Sequence, residues 1–299
     1  MNKHLASFLL LISLGLVWSL GYTIARYCMT HGVPALGYSF WQSLGPAFVL
    51  GLILILFRIP FPCSKTHLRH YLLCAILGIA LPNSIMYLSA AHLPSGLLAV
   101  IVNTVPILTY PLAMLAKQEK FQFSRVLALA LGCIGIGILI FPHPFVFESL
   151  MSSFSSDWIS FAFIAPLCFA SCSVWIASEH LKPSNPLSLS FGMLLFSIFF
   201  LFPTVKMTHS FYAFHESFTR TDWLILIEIG LSSLGYVLFF ALLKRAGSVY
   251  YSMVGGVVAI AGLGFGKLFY HETFHLWMYI GFLLILTAIG LLSFKSLKK

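Results

Sequence analysis

The sequence predicts an all-α integral membrane protein, with ten transmembrane helices arranged as two inverted five-helix repeats. Three observations carry this reading. Hydrophobic residues make up 60% of the 299 positions and charged residues only 8%, with a mean hydropathy of +0.97. A soluble domain carries roughly 25% charged residues, so this chain lacks the surface to dissolve in water. Second, residues 93–141 and 246–294 align without a gap: Ser95 falls on Ser248, Glu119 on Glu272, Phe121 on Phe274, Gly137 on Gly290 and Phe141 on Phe294. Each copy is an apolar segment, a polar turn carrying a glutamate, and a second apolar segment rich in glycine. Such a period governs the whole fold. Third, five spans per half is an odd number, so the second half enters the membrane from the opposite side. That inverted arrangement suits a site at the midplane.

Crossing a ~30 Å hydrocarbon core takes about 20 helical residues. Ten stretches qualify as spans: 6–25, 36–57, 71–91, 95–115, 124–141, 158–179, 187–205, 223–243, 248–270 and 276–294. The first has a basic start, as a signal peptide would. Its apolar run continues through Trp18, Tyr22 and Ile24 with no clear cleavage pattern, so it is expected to remain as span one. Short links, such as His92–Pro94 and Lys244–Gly247, make neighbouring helices antiparallel. Continuous runs such as Phe48–Phe57 lack the alternation of barrel strands. The halves divide as 1–145 and 146–299.

Basic residues set the expected orientation. With the N-terminus cytoplasmic, the inner segments hold Lys3, Arg58, Lys65, Arg69, Lys117, Lys120, Arg125, Lys182, Lys244, Arg245, Lys295, Lys298 and Lys299. The outer side keeps only Arg26, Lys206, Arg220 and Lys267, while Glu148, Asp157, Glu216, Asp222 and Glu272 fall there too. This is the positive-inside distribution. The formal charge of +9 is therefore a topology signal facing anionic lipid, and no nucleic-acid partner is expected. An inner membrane with both termini cytoplasmic is the expected location. The six cysteines lie mostly inside spans and form no disulfide framework. Cys168 and Cys172, one helical turn apart beside Ala170, Ser171 and Ser173, suit close helix packing better than metal binding.

The residues now support a resemblance. Trp18-Ser19 in span one, the run from Tyr87 through Pro94-Ser95-Gly96-Leu97 into span four, the link with Glu119 and the glycine-rich fifth span resemble the EamA-type members of the drug/metabolite transporter superfamily. Phe240-Ala241-Leu242, Gly247-Ser248, Glu272 and a last span ending at Lys295 repeat the pattern over nearly the whole chain. In that family spans from both halves line a central cavity and spans five and ten are peripheral. The resemblance implies that spans one, three, four, six, eight and nine hold the site.

Function is expected to be secondary transport of a small organic metabolite, such as an amino acid, an amine or a related compound, by alternating access. The sequence has no GxxxxGK[ST] loop to cradle ATP, and no cofactor is expected. An ionisable residue inside a span is costly, which makes Glu228 the expected coupling group. Withdrawal from water favours its neutral acid, letting it load and release a proton. Substrate contacts are expected from Trp18, Tyr22, Asn83, Tyr87, Asn103, Trp175 and Tyr236. Asn83 and Tyr87 share a helix face, as do Trp18 and Tyr22, and Pro106 is expected to kink span four and free a carbonyl near Asn103. Arg26 and Lys267 can snorkel from the span ends. Gly132, Gly135 and Gly137, with Gly281 and Gly290, suit close packing, and spans five and ten are the expected faces of a homodimer.

The competing enzyme reading is an intramembrane zinc protease, because His271-Glu272-Thr273-Phe274-His275 spells H-E-x-x-H. It falls at a turn between spans, no aspartate follows Pro106 as a third ligand, and Glu272 is already accounted for as the counterpart of Glu119. No metal site is expected. A membrane scaffold that transports nothing is a third reading, which reconstituted flux would separate from a carrier.

The charge distribution makes a direct prediction. Impermeant thiol labelling of single-cysteine variants in intact cells should modify positions in the Pro142–Asp157 link and spare the C-terminal tail; labelling of the tail would overturn the orientation.

Overall fold

The computed structural model describes residues 3–118, 121–140, 156–178, 185–251, 254–272 and 276–294. All regular structure among them is helical. Seven helical stretches are long and apolar enough to cross a membrane, and Val126–Gly135, Val254–Tyr270 and Met278–Ala288 are shorter apolar helices.

In chain order α1 is Lys3–Thr30 and α2 is Ala35–Leu56. Helix α3, Lys65–Ala75, runs through a π-helical turn at Ile76–Ala80 into α4, Leu81–Ala90. Pro82 has no N–H to return to Gly78, and the ladder widens there, with the Leu81 amide reaching the Ile76 carbonyl. Span four is broken: α5 is Ser95–Val102 and α6 is Val105–Leu115. The interruption at Asn103–Thr104 precedes Pro106, as expected. Helix α7 is Phe123–Ile140; α8, Ser156–Ala162, and α9, Ile164–Ser178, form one span with an irregular residue at Phe163. Helices α10, Pro186–Met207, α11, Arg220–Tyr251, α12, Val254–Tyr270, and α13, Leu276–Phe294, complete the chain.

One boundary differs from expectation. Spans eight and nine were to be joined by a link at Lys244–Gly247, yet α11 continues through it to Tyr251. The reason lies in the repeat partner of Gly247, which is Pro94. Pro94 lacks a donor and restricts Leu93, so the first half must turn there. Gly247 keeps its N–H, and a single glycine costs a helix only about 1 kcal/mol.

Helix ends share one device. Arg58, Lys117, His209 and His271 have φ between 51° and 58°, each just past the end of α2, α6, α10 or α12. This left-handed residue turns the chain so that the next amide bonds back into the helix, as Ile59 N does to Leu54 O at 2.9 Å and Ser210 N to Val205 O at 3.0 Å. At the start of α11, Thr219 and Asp222 form a capping box: Asp222 Oδ2 accepts from Thr219 N at 2.8 Å, and Thr219 Oγ1 accepts from Asp222 N at 3.4 Å. Asp222 is fully buried because it also accepts from Tyr212 Oη at 2.8 Å and meets His215 Nδ1 at 3.0 Å. Burial, reinforced by that bond to Asp222, pushes the Tyr212 hydroxyl above its usual range.

The packing scheme is unchanged when the halves are exchanged. Helix α1 packs on α11 and α12; α9 packs correspondingly on α4 and α6. Three pairs join equivalent elements: α2 with α10, α5 with α12, and α7 with α13. The core therefore lies between the halves. Aromatic clusters gather at both ends, as in proteins that sit between two membrane interfaces. Trp41, Phe211, Phe214 and Tyr212 mark one, and Phe61, Tyr71 and Phe191 the other. Large apolar side chains such as Ile55, Phe199, Ile260 and Leu283 are exposed on the outside, where hydrocarbon would meet them.

The glycine faces of spans five and ten meet each other within the chain. A Cβ on Gly135 would lie 2.8 Å from the Gly281 carbonyl oxygen and 2.9 Å from Ile285 Cγ1. Backbone cannot retreat as a side-chain tip can, so Gly135→Ala should force α7 and α13 apart and cost about 1–3 kcal/mol. A lowered melting temperature of the purified protein in detergent checks this; Gly230→Ala, with open space around it inside α11, should melt at or slightly above the parent.

Candidate functional site

Two polar constellations stand out inside this apolar bundle. The first begins at α5. Pro94, its N-cap residue, provides no side-chain cap, so the helix starts with open amides. Glu272 closes them from the other half of the chain. Its Oε1 accepts from Ser95 N at 2.9 Å and from Ser95 Oγ at 3.2 Å, and Oε2 accepts from Gly96 N at 3.4 Å. Arg26 of α1 pairs with the same carboxylate. A negative group at a helix N-terminus also answers the macrodipole. Arg26 further lies over the Tyr270 ring, 4.9 Å from its centroid, while Tyr270 Oη donates to Thr23 O at 2.7 Å.

Local backbone explains how Glu272 arrives there. His271, in the left-handed region with φ 51°, ends α12, and Glu272 N bonds back to Gly266 O at 3.2 Å. The carboxylate then occupies the space where Gly266 would carry a Cβ. His271 and Glu272 thus stand on a turn, where the one-turn spacing of an H-E-x-x-H helix is absent. His275 and Glu119 lie outside the described residues. Among the described residues, no group of three or more His, Cys, Asp or Glu is placed to hold a metal ion; Cys172 hydrogen-bonds Cys74.

The second constellation surrounds Glu228, which is 6% exposed in the third turn of α11. Its Oε1 lies 3.0 Å from Ser232 Oγ, one helical turn along, and Ser232 Oγ lies 3.1 Å from Gln42 Oε1 on α2. Gly21 of α1 makes room for the carboxylate: a Cβ there would sit 2.7 Å from Glu228 Oε1. Glu228 Oε2, Gln42 Nε2 and the hydroxyls of Tyr38 and Ser43 are buried with no hydrogen-bond partner among the described residues. Tyr38 packs edge-on against Tyr87, centroids 4.7 Å apart. Cys28, Tyr38 and Tyr87 all lie within electrostatic reach of Glu228, and Tyr87 also within reach of Tyr22 and Tyr236.

Of the residues singled out from the sequence, Tyr22 of α1 and Glu228 and Tyr236 of α11 therefore lie within reach of Tyr87 on α4. Trp18 lies beside them on the α1–α11 contact, 6.1 Å from the Phe239 ring, with Gly235 making room for its indole. Asn83 is half-buried one turn before Tyr87. Asn103 and Trp175 are elsewhere. Asn103 donates to Ala99 O within its own helix and lies against Gly255 on the α5–α12 contact. Trp175 lies beneath Arg69, 4.7 Å from guanidinium to ring centroid. Sequence reasoning passed over Gln42, Tyr38 and Ser232, and assigned Arg26 to snorkelling. Gln42 did carry a signal, as a carboxamide alone in an apolar span.

Comparison with known proteins now has a structure to refer to. The model of the EamA-like transporter family matches this chain twice, over residues 5–141 and again over 156–294. The chain belongs to the EamA-like transporter family. Among curated relatives of this EamA-type protein, an uncharacterized transporter of Bacillus subtilis (strain 168), YvbV, is 23% identical over 292 residues, covering 96% of this chain and 92% of that one. A crystal structure of another protein shares the fold, with a TM-score of 0.62, 12% identity and 98% of both chains covered.

The Glu272 geometry predicts an asymmetry between partners. Glu272→Ala leaves Arg26 and two α5 amides without their acceptor, and should cost about 3–5 kcal/mol. Arg26→Ala removes only the cation and leaves the cap in place, so its cost should be smaller. Thermal melts of the two single variants and the double variant check this, with strong non-additivity expected.

Proposed function

We propose that this EamA-type protein is a secondary carrier moving a small organic metabolite, an amino acid, an amine or a related compound, across the inner membrane by alternating access. Its halves, 1–145 and 146–299, act as inverted five-helix repeats making ten spans, with both termini cytoplasmic. Membrane lipid surrounds it, and neither a cofactor nor a nucleic-acid partner enters the scheme. A homodimer through spans five and ten would use the faces turned away from the Gly135–Gly281 contact.

The observation that carries this reading is Glu228, a carboxyl buried between the halves with one oxygen unpartnered. A group so costly inside a bundle, beside tyrosines of α2 and α4, suits coupling rather than packing. Substrate contacts are assigned to Trp18, Tyr22, Asn83, Tyr87, Asn103, Trp175 and Tyr236. Tyr87 has the strongest support because it lies within reach of the carboxyl, with Tyr22 and Tyr236 beside it. Rocking of one half against the other would expose this region to each side in turn. The protease reading has no comparable support, since His271 and Glu272 are engaged in ending α12 and starting α5.

Glu228→Gln keeps shape and hydrogen bonding but cannot carry a proton. In proteoliposomes it should abolish pH-gradient-driven accumulation of the transported compound and retain exchange. Accumulation that persists on acidifying the outside would remove Glu228 as the coupling group.

A further inference from the structure

The hydroxyl of Ser232 faces two acceptors at once: Glu228 Oε1 at 3.0 Å and Gln42 Oε1 at 3.1 Å. A hydroxyl carries a single proton, so it can donate to one of them only. The second contact needs a proton from the other side. With the Gln42 carbonyl facing Ser232, that proton comes from a neutral Glu228 carboxyl; with the amide turned over, Nε2 supplies it. Around Glu228 stand the Cys28 thiol of α1, the Tyr38 hydroxyl of α2 and the Tyr87 hydroxyl of α4, with Asp222 two turns back on its own helix. None of these is a cation. An ionised Glu228 would leave Oε2 charged, buried and without a donor.

We infer that Glu228, Ser232 and Gln42 form a reversible hydrogen-bond relay that reads the protonation state of Glu228, with Ser232 and Gln42 as positioning residues. With the Gln42 carbonyl toward Ser232, Glu228 is the neutral acid and donates to Ser232 Oγ, and Ser232 donates to Gln42 Oε1. When the site opens to water, the proton passes from Glu228 to a water molecule, leaving a carboxylate and hydronium. The chain then reverses: the Gln42 amide turns over, its N–H donates to Ser232 Oγ, and Ser232 donates to the carboxylate. The unpartnered Gln42 Nε2 is the donor this reversal uses. The turnover moves Gln42 on α2 with each proton, which ties the charge on α11 to a helix of the other half. The use of the relay in coupling rests on the carrier reading; its hydrogen bonds do not.

Infrared difference spectroscopy of the full-length protein in lipid, titrated from mildly acidic to alkaline pH, tests this without any substrate. The parent should show a neutral-carboxyl band, sensitive to deuterium, that disappears as pH rises and is missing in Glu228→Gln. Ser232→Ala removes the donor to the carboxylate, so the band should move in frequency and persist about one pH unit higher. Ser232→Thr should restore the parent behaviour. Gln42→Leu should move the band, while Ser43→Ala, a buried hydroxyl one residue along α2, should leave it in place. A band that survives Glu228→Gln, or that is unmoved in both Ser232→Ala and Gln42→Leu, overturns the relay. An intact relay in a protein whose Glu228→Gln variant still accumulates substrate would defeat the carrier role of Glu228 alone.

Discussion

The architecture depends on one carboxylate answering the open end of a helix far away in the chain. Glu272 completes the first turn of α5, which Pro94 begins without a side-chain cap, and Arg26 neutralises the charge. Three elements meet there: α1 and α5 from the first half and the end of α12 from the second. Apolar packing alone gives helices in lipid little reason to choose one partner over another, because hydrocarbon is as apolar as leucine. A directional, charge-assisted contact supplies that choice. The requirement for glycine at position 266 and the left-handed turn at His271 both follow from it.

Glu228 sits under the opposite constraint. Glu272 has three donors besides a cation, whereas Glu228 has one hydroxyl and an oxygen with no hydrogen-bond partner among the described residues. Two acidic residues in one membrane protein thus stand in different surroundings. One is held by satisfied bonds; the other is held by a single hydroxyl. The polar groups around Glu228 are short of partners as a set, which is the condition under which a small input, a proton or a ligand, can alter the local arrangement.

Much of the fold was legible because membrane insertion simplifies the code. Apolar length gave most spans to within a few residues, and Pro106 marked the break in span four. The gap-free alignment of Ser95 with Ser248 and Glu119 with Glu272 revealed the two-part organisation. The join at Lys244–Gly247 was misread because glycine permits a turn without compelling one, whereas proline compels it. The Arg26–Glu272 pair was invisible since the two residues stand 246 positions apart. Glu228 announced itself by its cost. Ser232 could not: serines and threonines in spans commonly bond their own helix carbonyls, as Ser233 and Thr109 do here, so a hydroxyl in the sequence says little. Asn103 was conspicuous for the same chemistry and turned out to be engaged with Ala99.

The uninterrupted α11 gives the two halves different mechanical characters. At 32 residues it extends about 48 Å, well beyond the ~30 Å hydrocarbon thickness, while its first-half counterpart turns at Pro94 and breaks again after Val102. A rod longer than the bilayer must lean or project into the headgroups, and its tilt follows the local lipid thickness. With α1, 28 residues long, it is one of two helices among the described residues whose tilt depends on the thickness of the membrane around them.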